Sequence, residues 1–76
     1  MNKVEKYGQT IEGCHDYEIE EVKKVLVEQM KQMFEAHNIS KVSDYMFHED
    51  LMLDNGKYKV SVEVKGLKTE PYSLYQ

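Results

Sequence analysis

Leu51-Met52-Leu53-Asp54-Asn55-Gly56-Lys57-Tyr58-Lys59-Val60 is the stretch that decides the fold. Asn-Gly between strand-forming residues is the strongest short signal for a two-residue type I′ turn, because both residues tolerate positive φ. With Asn55 and Gly56 as the loop, Asp54 pairs with Lys57, Leu53 with Tyr58 and Leu51 with Val60. Further out, Glu49 faces Val62, Phe47 faces Val64 and Tyr45 faces Gly66. Side chains alternate along a strand, so the pairs from Leu53–Tyr58 outward at every second position share one face. That face is apolar except at Glu49 and Gly66. The opposite face pairs Met52 with Lys59, Asp50 with Ser61, His48 with Glu63 and Met46 with Lys65. The pattern predicts a β-hairpin over residues 42–67.

Upstream, Ile19, Val22, Leu26, Met30, Met33 and Phe34 recur at spacings of three and four, which puts them on one helical face. Val25 and Val27 widen that stripe, and the spacing predicts a helix over 17–38. Asp16 is placed to cap its first turn, and Glu18, Glu20 and Glu21 suit the positive end of the helix dipole. His37 falls in the last turn, Asn38 tolerates the left-handed conformation that ends helices, and Ile39 is expected to fold back onto Met33 or Phe34.

Working outward, residues 1–16 read as an arm or, over Val4 to Ile11, as a third strand. Residues 68–76 read as a tail whose Tyr72 and Tyr75 dock on the domain or on a partner. The fold class is α+β: one long amphipathic helix packed on an antiparallel β-hairpin, with a third N-terminal strand as the option for the arm. Residues 1–76 hold one domain. A chain this short has a thin core and open sheet edges, and Cys14 is its only cysteine, so no disulfide supports it. A homodimer is therefore expected.

Chemistry is scarce. Cys14, His15, His37 and His48 never fall into a paired ligand spacing, so no structural zinc is expected, and no cofactor. Gly8, Gly13, Gly56 and Gly66 are scattered and form no phosphate loop. Cys14 and His15 precede a helix start that could lower a thiol pKa, but a small residue in a connector explains Cys14 more simply. His48 reads as the partner of Glu63 across the hairpin. The expectation is a binding protein, not an enzyme. Met1 to Lys6 has no apolar run behind its charges and no stretch approaches a membrane span, so a cytoplasmic protein is expected.

Charge points to the kind of partner. Ten Lys and Arg against fourteen Asp and Glu leave a formal net charge of −4, which disfavours direct nucleic-acid binding. From residue 12 to 21 the chain carries Glu12, Asp16, Glu18, Glu20 and Glu21 with no lysine or arginine. Residues 44–54 add Asp44, Glu49, Asp50 and Asp54, again without lysine. Such acids stabilise helix starts and keep surfaces soluble. Gathered on one small domain, they also attract basic partners and speed encounter. Glu49 breaks its local rule by standing on the apolar face, where it sits at the margin, pairs with a lysine or meets a partner.

In size, acidity, tyrosine content and helix-plus-hairpin design, the whole chain resembles small acidic bacteriophage host-takeover proteins of the DNA-mimic kind, such as inhibitors of the histone-like protein HU. Its ten lysines depart from the densest mimics. The resemblance implies an inhibitor that works in a bacterial host cytoplasm, binding a basic nucleoid or other DNA-binding protein with carboxylates where phosphates would sit. Glu12, Asp16, Glu18, Glu20 and Glu21 are the first candidates for that contact, and Asp44, Asp50 and Asp54 the second. The rival expectation is an antitoxin-like or adaptor module anchored by the apolar sheet face and Tyr72 or Tyr75. A thiol-dependent enzyme built on Cys14 is the third.

Overall fold

Val60, Val62 and Val64 are almost completely buried, because the strand that carries them runs through the middle of the sheet. The computed structural model describes residues 2–69. Its elements are β1 (Asn2–Cys14), a 3-10 turn (Asp16–Glu18), α1 (Ile19–Ala36), β2 (Ile39–Ser40), β3 (Met46–Leu51) and β4 (Tyr58–Thr69). All pairing is antiparallel to β4: β1 lies along one side of it, and β2 and β3 share the other. The N-terminal arm is thus a full strand, matched to β4 from Asn2–Thr69 to Cys14–Tyr58 with a bulge at Gly13. Tyr72 and Tyr75 lie outside the described residues.

Between β2 and β3, Ser43 holds the edge of β4 together. Its backbone N–H donates to Lys65 O at 2.8 Å, and Lys65 N–H donates to Ser43 Oγ at 2.9 Å. No backbone group of Lys65 is left bare where the partner strand is interrupted. For the same reason the first arm of the hairpin begins at Met46, not near Val42.

The hairpin itself departs from expectation in turn and register. Met52 N–H donates to Lys57 O at 2.7 Å and Gly56 N–H to Met52 O at 2.9 Å, closing a four-residue loop over Leu53–Gly56. Gly56 alone in this loop has positive φ, at 70°. Asn55 instead turns its Oδ1 to accept Lys57 N–H at 2.9 Å, the local side-chain bond that makes asparagine a turn former in its own right. Leu51 consequently pairs with Tyr58, Glu49 with Val60, Phe47 with Val62 and Met46 with Glu63. Asp50 stands opposite Lys59, and His48 opposite Ser61 instead of Glu63. The shift is two residues, so every side chain keeps its expected face.

The helix start also differs. Asp16 is not its cap. The chain enters through the 3-10 turn, where Glu18 N–H donates to His15 O and the Glu18 carboxylate accepts His15 N–H, both at 2.9 Å. At the other end His37 N–H reaches Met33 O at 3.0 Å and Asn38 adopts φ 56°, as a left-handed helix terminator should. Ile39 then enters β2 and joins the core.

That core joins Cys14, Ile19, Leu26, Met30, Phe34 and Ile39 to the three β4 valines, with Tyr7, Ile11, Val22, Met33, Tyr45, Phe47 and Tyr58 packed around them. Full burial of each large aliphatic contributes about 1.5–3 kcal/mol. The helix covers one face of the sheet only. On the other, Glu12, Lys59 and Asp50 stand side by side across three strands, and Lys6 approaches Glu63 at 3.5 Å.

Candidate interaction surface

The helix begins over the end of the sheet where β3 turns into β4. The last residues of β1, the 3-10 turn, the first turns of α1 and the 53–56 loop therefore meet at one end of the fold. Residues 12–24 and 48–59 hold eight of the fourteen acids and four of the ten lysines. A formal charge of −4 is thus concentrated here, while the other described residues, with five acids and six lysines, carry +1.

The acids at this end differ in how free they are. Glu12 and Asp50 flank Lys59 on the uncovered face of the sheet. Glu18 is occupied with the His15 N–H. Glu20 bonds Lys23 at 3.2 Å and Glu21 approaches Lys24 at 3.8 Å, exposed pairs worth little in water. Asp16 and Asp54 are exposed, in the 3-10 turn and at the hairpin tip. Asp44 is the outlier. It lies toward the opposite end, in an open cleft of about 520 Å³ shared with Lys6, Ser43, Met46, Glu63 and Lys65.

Glu49 has a partner. Lys23 reaches down from α1 to form an ion pair with it while also bonding Glu20, and its ammonium sits 5.4 Å from the Phe47 ring centroid. Hydrogen bonds to Glu49, then Glu20, hold the Lys23 pKa above the ordinary lysine value. Pairing with a lysine is one of the outcomes expected for Glu49, but which lysine is not legible along the chain, because Lys23 and Glu49 meet only once the helix crosses the sheet.

Three apolar side chains stand among the carboxylates. Tyr17 is 80% exposed and stacks on His15 with ring centroids 5.3 Å apart, while Leu53 is 91% and Leu51 50% exposed. Tyr17 lies off the core stripe of the helix and so passes unnoticed there. Leu53 is hidden from sequence reasoning by the two-residue register error, which places it opposite Tyr58 when it actually forms the loop. The apolar sheet face of the rival expectation is, by contrast, already covered by α1.

No family model, curated protein or solved structure matches the chain. Among the described residues no group of three or more His, Cys, Asp or Glu side chains could hold a metal ion, and no helix is long and apolar enough to cross a membrane. Cys14 is buried. Burial, then the nearby Glu18 charge, pushes its thiol pKa up, which is the opposite of what a nucleophile needs.

Proposed function

We propose that this protein is a small acidic binding inhibitor that docks its helix-start end on a basic surface of a protein partner, in the manner of a DNA mimic on a nucleoid or other DNA-binding protein. The observation that carries this reading is the gathering of a formal charge of −4 at one end of the fold, against +1 on the other described residues. Asp16, Glu21 and Asp54 are the carboxylates best placed to meet lysines and arginines. Glu12 and Asp50 are tempered by Lys59, and Asp44 belongs to another surface. Tyr17 and Leu53 supply apolar contact inside the ring of charge, as buried anchors do at interfaces.

Those two exposed side chains also favour a second reading, an adaptor in which apolar anchoring dominates. Salt separates the two. Stopped-flow association with a basic histone-like protein should slow steeply as ionic strength rises if charge steers the encounter. A rate insensitive to salt, with affinity lost in a Tyr17→Ala/Leu53→Ala variant, would support the adaptor reading instead.

A further inference from the structure

The outer edge of β1 is a long strand edge with no neighbour among the described residues. Uncovered edges of this length normally recruit another strand or carry features that prevent it. Two observations beside this edge bear on what covers it. The Gln9 Oε1 atom, on the helix-facing row of β1, is buried with no hydrogen-bond partner among the described residues. By helical spacing, Val22, Val25, Gln29, Met33 and Ala36 form the flank of α1 turned away from β3, and it carries no charge. Glu20, Lys23, Lys24 and Lys31 all line the opposite flank, together with Phe47 of β3.

We propose that this edge is a homodimer interface, in which β1 pairs antiparallel with β1 of a second copy about a two-fold axis passing through Gln9. Centred there, Lys6 faces Glu12 of the second copy, Tyr7 faces its Ile11, Gly8 faces its Thr10, and each of these pairs occurs twice. The acid–base row Asp50, Lys59, Glu12 then continues into Lys6 of the second copy, and the two Gln9 side-chain amides meet at the axis. Neighbouring centres lack this complementarity: an axis at Gly8 sets Glu5 against Ile11 and Val4 against Glu12, and an axis at Thr10 sets Gly8 against Glu12. An axis normal to the sheet also keeps both helices on the same side, so their uncharged flanks face each other. The interface shares Glu12 with the acidic end but uses none of that surface's other carboxylates.

Lys6 and Glu12 are six residues apart on one strand, roughly 20 Å, so coupling between them must arise between copies. Sedimentation equilibrium of the parent, Lys6→Glu, Glu12→Lys and the double variant tests this, with circular dichroism confirming that each is folded. Each single change turns two attractive cross-strand pairs repulsive and should weaken the dimer roughly tenfold, while the double variant should recover most of the parent affinity. A Gln9→Cys/Cys14→Ser variant should also cross-link to itself under mild oxidation, since directly opposed residues on antiparallel strands lie within disulfide reach. A mass near 9.0 kDa at every accessible concentration would overturn the proposal. So would a dimer indifferent to the single changes, or one whose double variant shows only their sum. A monomer whose β1 amides gain exchange protection only with an added foreign strand would assign the edge to that occupant, and would equally overturn it.

Discussion

Gly56 occupies the one left-handed position of the hairpin loop, and a Cβ added there meets nothing within 4 Å. Its substitution therefore probes backbone conformation alone. Gly56→Ala should lower stability by about 1–2 kcal/mol and Gly56→Asn by less, because asparagine tolerates this region. The urea midpoint reads both changes, and equal losses for Ala and Asn would show that tolerance of positive φ does not govern the site. Cys14 offers a second probe at this scale. Its burial and raised thiol pKa predict that iodoacetamide at neutral pH alkylates the folded protein on the order of a hundredfold or more slower than the denatured chain, with protection set by the opening free energy. Fast alkylation of the folded protein would revive the thiol-enzyme alternative.

Between elements, two of the contacts that bind α1 and β2 to the sheet can be probed singly. Gly66 lies beneath Ile39, so closely that an added Cβ would sit 2.5 Å from Ile39 Cγ2 and 3.3 Å from Val42 Cγ1. Gly66→Ala should cost about 1–3 kcal/mol through overpacking, read as a lowered denaturation midpoint. The Lys23–Glu49 pair joins helix to β3. Because the folded Lys23 pKa is raised, its contribution to stability is complete below the ordinary lysine value of about 10.4 and is lost as pH rises through the folded value. The stability gap between the parent and Lys23→Met should therefore narrow in that alkaline range. A gap independent of pH there would mean that Lys23 acts through its stem on Phe47, not through its charge.

The elements themselves were largely legible in the chain, because helix and strand periods are written into Ile19–Phe34 and Phe47–Val64. The hairpin register was not: a two-residue shift leaves every face unchanged, and Asn-Gly suits a four-residue loop with one left-handed glycine as well as a two-residue turn. The arm stayed ambiguous because its helix-facing row, Glu5, Tyr7, Gln9 and Ile11, is only half apolar. The two acidic runs were visible as composition. Their meeting at one end, the separation of Asp44 and the capture of Glu49 by Lys23 are products of topology, which spacing along the chain does not report.

On the scale of the whole molecule, structure and charge divide the described residues into a nearly neutral body and one acidic end that also presents Tyr17 and Leu53. Pairing through β1 would leave two such ends at opposite ends of a joined sheet, roughly 30 Å apart along the strands, an arrangement suited to a partner with two basic surfaces. On the proposed reading, this end occupies a surface that would otherwise hold DNA. Fluorescence anisotropy of a labelled duplex bound to a basic histone-like protein tests this, titrated with the parent and with a folded Asp16→Lys/Glu21→Lys/Asp54→Lys variant. The parent should displace the duplex, and the variant should do so at least about tenfold less effectively, as close charge pairs at such interfaces are lost. Failure of the parent to displace the duplex, or equal displacement by the variant, would contradict it.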